Sequence, residues 1–282
     1  MSDRQPKGGE TASFLWRNHV PESAKGPISG GMNLPPPIDP ARHALFIDFD
    51  GTLVDLVDDP SKVVLSPEAV RRLGEIQDAC QGAFAVVSGR RIVDLDHFLR
   101  PLRFAAAGVH GLERRDGPGE PVVPLAGPEG LDPLRVALSA GVVEEPRLRL
   151  EDKKTALVVH YRGHPELQEA AIRLVSAAVD EQLGFAVMKG DNIVEVHLAG
   201  MDKGKAIEAL MAHAPFQGRV PIYLGDDTTD EFGFYAVRKL GGISVKVGEG
   251  ATEAEYRLAS VDSVHRWLGV GRPEASEEFE GE

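Results

Sequence analysis

The residues of this chain best suited to chemistry are acidic, and they follow a stretch that is otherwise wholly apolar. The run His43-Ala-Leu-Phe-Ile-Asp-Phe-Asp-Gly-Thr-Leu53 opens with Ala44 to Ile47 and closes on two carboxylates, Asp48 and Asp50. A continuous apolar run is the pattern of a strand buried on both faces of a parallel sheet. Carboxylates fit such a strand only at its open carboxyl end, where α/β sheets hold their ligands. Gly51 comes next and can release the backbone into a turn. An ordinary Asp-Gly turn at a strand end is the plain alternative. As chemistry, Asp48 offers a nucleophile that can form an acyl phosphate and split one hard step into two. Asp50 offers a general acid to an alkoxide and then a general base to water, worth about 10²–10⁴-fold.

Three further segments supply complementary parts. Ser88, in Ser88-Gly89-Arg90 after the apolar run Phe84 to Val87, can hydrogen-bond a phosphoryl oxygen. Lys203, in Asp202-Lys-Gly204, opens a predicted helix and sets a cation and a helix N-terminus beside developing negative charge. Asp226 and Asp227 follow the run Val220-Pro-Ile-Tyr-Leu224, where oxygen-only ligation suits Mg²⁺. Each segment alone has an ordinary reading: a helix cap, a solvated helix start, an acidic surface loop. Together, each at a predicted strand end or helix start, they describe one site for phosphoryl transfer. Gly89, Arg90 and His110 are further candidates on the substrate side. His110, in Gly108-Val-His-Gly111, also reads as a histidine packed after a core strand, and Arg90 as an exposed residue. Asp55, Asp58 and Asp59 read as solvated loop charge, and Cys80 as core filler.

The elements that must position these residues alternate. Pro67 to Ala79 has helical periodicity, with Val70, Leu73 and Ile76 on one face, and Phe104-Ala-Ala-Ala107 is a third buried strand. Strand, helix, strand in this rhythm means a parallel sheet with crossover helices. The rhythm breaks in the Gly/Pro-rich stretch from Pro118 to Pro128. Beyond it come a helix at 131–140, a half-exposed antiparallel pair in 148–162, a helix at 166–183 and a hairpin over Phe185 to Leu198 that turns at Gly190-Asp191. The first rhythm resumes with a helix at 203–213 and a further strand over Ile243 to Val247. The reading is α/β, with a core of 41–116 and 200–268 and an α+β insertion at 117–199. Residues 1–40, ending in Pro35-Pro36-Pro37, read as a disordered leader, and 269–282 as an acidic tail.

Composition narrows the function. The chain has 282 residues, with 31 basic against 44 acidic side chains and a formal net charge of −13. That balance argues against nucleic acid or a membrane surface as partner, while a local basic pocket can still meet a phosphorylated substrate. Cys80 is the only cysteine, so neither an internal disulfide nor a cysteine metal cluster can form. No apolar run approaches the roughly 20 residues of a membrane span, and the N-terminus lacks the apolar core of a signal peptide. The expected location is the cytoplasm.

The order of these motifs resembles the capped branch of the haloacid dehalogenase superfamily, and more closely the trehalose-6-phosphate phosphatase family. The residues that carry the resemblance are Asp48-Phe-Asp-Gly-Thr-Leu53, Ser88-Gly-Arg90, Gly108-Val-His-Gly-Leu-Glu113, Glu151-Asp-Lys153, His160-Tyr-Arg162, Glu195, Asp202-Lys-Gly204 and Gly225-Asp-Asp-Thr-Thr-Asp-Glu231. It implies a Rossmann-like parallel-sheet core with an inserted α+β cap domain, and Mg²⁺ held by Asp48, Asp226 and the backbone carbonyl of Asp50, with Asp227 and Asp230 close by. It also implies that Glu151, Lys153, Arg162 and Glu195 grip sugar hydroxyls. The implied substrate is trehalose 6-phosphate, and a trehalose-6-phosphate synthase of the same pathway is a candidate protein partner. Phosphatases of sucrose phosphate or mannosyl-phosphoglycerate, a phosphomutase-like transferase and a silent phosphosugar-binding module are the competing readings. Two departures bear on sugar specificity. The family's usual Gly-Lys turn is Gly190-Asp191 here, with Lys189 as a neighbouring substitute, and its basic residue and proline after Glu195-Val196 are His197-Leu198.

Overall fold

A computed structural model describes residues 33–57, 59–125, 128–180, 184–190 and 192–270. The first strand, β1 (His43–Ile47), is buried along nearly its whole length, as a doubly covered strand requires. Helix α1 (Pro67–Ala79) follows, capped by Ser66, whose side chain accepts from the Ala69 amide at 3.1 Å, with Pro67 in its first turn. It buries Ala69, Val70, Leu73 and Ile76. The chain continues through β2 (Phe84–Val87), α2 (Ile92–Phe98), β3 (Ala105–Gly108), β4 (Glu113–Arg115) and β5 (Val123–Pro124). An inserted segment holds α3 (Asp132–Glu144), β6 (Arg149–Asp152), β7 (Ala156–His160), α4 (Gln168–Asp180), β8 (Phe185–Gly190) and β9 (Ile193–Leu198). The chain then completes the first sheet with α5 (Lys203–Met211), β10 (Val220–Gly225), α6 (Asp230–Lys239), β11 (Ile243–Val247), β12 (Tyr256–Leu258) and α7 (Val261–Leu268).

Eight strands form the larger sheet in the order β12-β11-β10-β1-β2-β3-β4-β5, parallel except at its β3-β4-β5 edge. From β1 the chain winds outward through β2 and β3, and it returns later on the other side through β10, β11 and β12. The boundary between β1 and β10 is therefore the point where strand order reverses and a crevice opens at the carboxyl ends. Register places Ile47 opposite Leu224 on one side and opposite Val86 on the other. The residues that follow these three strands, Asp48, Asp226 and Ser88, emerge at the same end of the sheet.

The second sheet is antiparallel, in the order β6-β7-β9-β8. One face, including Leu157, Val159, Val194 and Val196, packs with apolar residues of α3 and α4 such as Leu134, Leu138, Ala171 and Val175. Because side chains alternate along a strand, the other face receives Glu151, His160, Glu195 and His197. Two compact units result, one of them Pro128–Ala199, the other running up to Gly127 and resuming at Gly200.

Three expectations change. The Gly/Pro-rich stretch is not where the insertion starts: Val123–Pro124 pairs with β4 and extends the larger sheet, so residues 117–125 belong to the core side. The last part of the supposed leader is attached to the core. The Arg257 amide donates to the Asn33 carbonyl at 3.0 Å, Trp267 Nε1 donates to the Pro36 carbonyl at 3.1 Å, and Ile38 packs on the core cluster. At the other end, Gly269 adopts a left-handed conformation that terminates α7, and Val270 packs on the core. Residues 1–32 and 271–282 lie outside the described residues, as do Asp58 and Asp191.

A close approach between α6 and β10 links core packing to the site. A Cβ on Gly233 would overlap the Tyr223 ring, whose hydroxyl donates to Asp230. Gly233→Ala is expected to cost about 1–3 kcal/mol through overpacking, read as a lower urea midpoint with an unchanged slope, and to lower turnover by displacing Tyr223.

Candidate active site

Helix α5 begins because Asp202 caps it, its carboxylate accepting from the Lys205 amide at 2.8 Å. That cap puts Lys203 in the first turn and fully inside, at 3% exposure. Its ammonium lies 3.1 Å from Asp48 Oδ1 and 2.6 Å from Asp230 Oδ1. Asp230 is wholly buried and every direction around it is engaged. Tyr223 OH donates to Oδ1, and the amides of Asp226 and Asp227 donate to Oδ2 at 3.0 and 2.9 Å. The loop after β10 is thus wound around this carboxylate, which explains why the residue at 225 has no side chain: a Cβ there would strike the Asp230 carboxyl group. Gly51 has φ +74 and faces the Asp226 carboxylate so closely that a Cβ would collide with it.

Asp48, Asp226 and Asp230 each place one oxygen within 4.8 Å of the others. Three carboxylates at this spacing oppose one another. Burial raises the Asp48 carboxyl well above its ordinary range; Lys203 opposes the rise, while Asp230, Asp226 and Asp50 add to it. Burial and then repulsion from Asp230 push Asp226 up to about 6. Burial works against the Lys203 ammonium, yet Asp230 and Asp48 outweigh it and hold its pKa above the usual lysine value. Tyr223 is raised by burial and by Asp230, so it stays a neutral donor. The excess of negative charge, together with donors that are all oxygen, fits a hard divalent cation. Asp48 and Asp226 are the members that would hold it, since both Asp230 oxygens are already accepting.

Asp227 does not join them. It is exposed, and its carboxylate accepts from the Thr228 amide at 2.6 Å. Sequence reading gave Asp227 to the metal set and left Asp230 beside it; the structure brings Asp230 inward instead. Three residues separate Asp226 from Asp230, and only the turn into α6 makes them neighbours. Lys246 escaped notice altogether. It is 5% exposed on β11 and donates to the Asp226 carbonyl, and a lysine inside the apolar run Ile243–Val247 was the available signal.

The other candidates surround this cluster or lie in the inserted unit. Ser88 is buried, and its Oγ accepts from the Arg90 amide at 3.2 Å. Arg90 turns its guanidinium to Asp50, with Nε and one terminal nitrogen 2.7 and 2.6 Å from the two carboxylate oxygens. Gly89 lacks a side chain where a Cβ would come within 2.7 Å of the His110 ring, and His110 itself has a positive φ of 53°. Glu113 caps α2 by accepting from the Ile92 amide at 3.0 Å. Asp59 caps the turn Pro60–Lys62 through Ser61, and Cys80 is buried at the end of α1.

On the polar face of the second sheet, Lys153 Nζ meets Glu195 Oε2 at 2.9 Å, and Glu195 is fully buried. His197 Nδ1 lies 3.5 Å from the other Glu195 oxygen. Glu151 Oε2 is 2.6 Å from His160 Nε2, a bond that holds the Glu151 carboxyl below its ordinary value although burial opposes this. Arg162 lies in the exposed turn after β7. Lys189 pairs with Val194 and so belongs to the helix-covered face, opposite Glu195.

The sheet with its reversal of strand order has the fold of a Bacteroides thetaiotaomicron protein described among phosphatases of the haloalkanoate (HAD) enzyme superfamily, with a TM-score of 0.54 at 17% identity over 84% of this chain and 99% of the other. The C-terminal domain of the Candida albicans trehalose-6-phosphate phosphatase shares that fold, with a TM-score of 0.69 at 22% identity over 82% of this chain and 93% of the other. The sequence profile of the trehalose-phosphatase family matches residues 46–262, and this chain belongs to that family. It is 42% identical over 229 residues to the trehalose-6-phosphate phosphatase of Escherichia coli (strain K12), covering 81% of this chain and 86% of that protein. It is 35% identical over 228 residues to the probable trehalose-phosphate phosphatase of Sinorhizobium fredii (strain NBRC 101917 / NGR234), covering 80% and 85%. Among the described residues no helix is long and apolar enough to cross a membrane.

Two outcomes are expected of the acidic cluster. Asp230→Asn should weaken activation by divalent cation and lower stability, because the wound loop loses a charge on which four donors converge, whereas Asp227→Ala should leave both within a few-fold; cation titration of activity and thermal melts compare them. The second outcome is a pH dependence. Asp48 and Asp226 titrate above their unfolded-state values, so the stability they allow is complete below about pH 4 and is lost as pH rises through about 6, the Asp226 value. The cation-free protein should therefore melt lower at about pH 7 than at about pH 5, by a few degrees, and added divalent cation should raise the melting temperature more at the higher pH.

Proposed function

We propose that this protein is an Mg²⁺-dependent phosphatase that hydrolyses trehalose 6-phosphate to trehalose and inorganic phosphate through an aspartyl phosphate on Asp48. The observation that carries this reading is the pairing of buried Asp48 with Lys203 at 3.1 Å, at the strand-order reversal of a chain in the trehalose-phosphatase family. In the first step an Asp48 carboxylate oxygen attacks phosphorus. The bond to the sugar oxygen breaks, and its electron pair takes a proton from Asp50. In the second, water attacks the same phosphorus, gives its proton to Asp50 and releases Asp48 and phosphate. Lys203 offsets negative charge at the nucleophile and on the phosphoryl oxygens, and Ser88 donates to one of these. Bound Mg²⁺, held by Asp48, Asp226 and the Asp50 carbonyl, would further neutralise the charge of the phosphoryl group.

The sugar reading belongs to the inserted unit. The Lys153–Glu195 pair presents fixed donors and acceptors on one sheet face, and Glu151 is oriented by His160. Hydroxyl groups of a disaccharide suit such a surface, since a site built to hydrogen-bond hydroxyls rejects analogues that lack them. His197 stands on the same face and makes this chain's version of the surface its own.

One experiment tests nucleophile and substrate together: phosphate release from a panel of sugar phosphates and an aryl phosphate, with Mg²⁺ and with EDTA. Trehalose 6-phosphate should give the highest kcat/KM, EDTA should remove activity, and Asp48→Asn should show none. Arg162→Ala or Glu195→Ala should lower kcat/KM for trehalose 6-phosphate by roughly 10–100-fold, the worth of one charged hydrogen bond, and leave the aryl phosphate within a few-fold. Preference for glucose 6-phosphate would reject the disaccharide, and turnover by Asp48→Asn would reject the mechanism.

A further inference from the structure

Arg90 stands next to the phosphate-side residue Ser88, and a cation in that position reads naturally as a phosphate ligand. Its contacts say otherwise. Nε and a terminal nitrogen are 2.7 and 2.6 Å from the two Asp50 oxygens, the bidentate geometry in which guanidinium and carboxylate match edge to edge. The remaining terminal nitrogen donates to the Pro60 carbonyl at 2.9 Å. The guanidinium carbon lies 4.8 Å from the Phe98 ring centroid and 5.3 Å from that of Phe49, two rings stacked on each other at 5.6 Å. One edge of the fork is thus filled by Asp50, the third nitrogen has an acceptor of its own, and the orientation is set by aromatic packing. The side chain is 14% exposed, against 32% for Asp50, so the more buried group grips the more exposed one.

From this geometry we infer that Arg90 is a positioning residue for Asp50 and does not bind the phosphoryl group. The inference rests on the acid/base role proposed for Asp50 above. An aspartate has two side-chain torsions to fix, and proton transfer to the leaving oxygen fails if the carboxyl group rotates away. Arg90 takes one lone pair on each oxygen and leaves the second for the proton that Asp50 passes on. The cation that meets the reacting phosphoryl group is Lys203, already 3.1 Å from the nucleophile. Arg90 also couples three segments, since Asp50 follows β1, Pro60 begins the turn before α1, and Phe98 ends α2. A lysine at this position could reach one oxygen but could not bridge both, and would lose the stacking on Phe49 and Phe98.

The test compares Arg90→Met, which keeps an apolar stem over the rings, and Arg90→Lys with Asp50→Asn, all with Mg²⁺. Three quantities are read: steady-state kcat and KM for trehalose 6-phosphate, the pre-steady-state burst of 4-nitrophenol from 4-nitrophenyl phosphate, and the inhibition constant of inorganic phosphate. A good leaving group needs little proton donation, so its burst reports attack by Asp48 alone. Both Arg90 variants should lower kcat for the sugar phosphate by about 30–100-fold, as expected for a misplaced catalytic group. Their KM, nitrophenol burst and phosphate inhibition should stay within about threefold of the parent. A burst and a phosphate affinity that fall together with kcat would make Arg90 a phosphate ligand and overturn the inference. So would sugar-phosphate turnover within threefold of the parent in Arg90→Met. Asp50→Asn separates the two levels: a kcat loss there that Arg90→Met does not share overturns the positioning role alone, and full turnover in Asp50→Asn removes the acid/base role and the inference with it.

Discussion

One buried ammonium makes the rest of the active site tenable. Asp48, Asp226 and Asp230 converge where water is largely excluded, and like charges so placed would drive one another to protonate or drive the loops apart. Lys203 bridges two of them, and its own burial is affordable only because both are there. The bridge in turn depends on local features of the chain. Asp202 caps α5 so that Lys203 enters at the first turn, and the β10–α6 loop winds its amides onto Asp230. Glycine at 225 gives that carboxyl group the space it occupies. Removing any of these would leave an unpaired charge in a dry place, so the arrangement is held as a unit.

The two sheets handle charge in different ways. In the parallel sheet, the acidic groups gather at the carboxyl ends, because the strands themselves are covered on both faces and carry mostly apolar residues. The crevice at the β1–β10 boundary concentrates that chemistry at a point. The antiparallel sheet has one face packed on helices and one face free for polar residues, so its charged groups are spread along alternating positions of β6, β7 and β9. A point of high charge suits a phosphoryl group. A patterned face of fixed hydrogen-bonding groups suits the several hydroxyls of a sugar.

The inserted unit also holds the two positions, Asp191 and His197, at which the sequence differs from the pattern it resembles. His197 lies beside the fully buried Glu195, 3.5 Å from one of its carboxylate oxygens. Lys189, the lysine nearest the Gly190-Asp191 turn, alternates onto the helix-covered face. A single step along a strand reverses the direction of a side chain, so neighbouring in sequence is not the same as substituting in function.

Much of the core chemistry was legible before any coordinates, because it obeys local rules. An apolar run closed by Asp48 and Asp50 reads as a strand end, Asp202-Lys-Gly reads as a helix start, and the antiparallel pair and hairpin of the insertion follow from alternation and turn residues. The segments misread were those whose signal is not local. Val123–Pro124 is too short and Pro-rich to announce a strand, and it becomes one because the β4 edge is there to pair with. Residues 33–38 look like an unstructured leader by composition, and α7 and β12 bind them through backbone carbonyls that any sequence possesses. Which acid turns inward, Asp227 or Asp230, depends on the loop's path around buried amides. Arg90 next to Ser88 reads as a phosphate ligand until Phe49, Phe98 and Pro60, brought in from three segments, aim its fork at Asp50. Sequence alone determined which residue types stand at the strand ends, since burial of a continuous apolar strand leaves charge nowhere else to go. Tertiary structure decided which of those charges meet, because pairing energies depend on distances between segments that lie as far apart in the chain as Asp48 and Lys203.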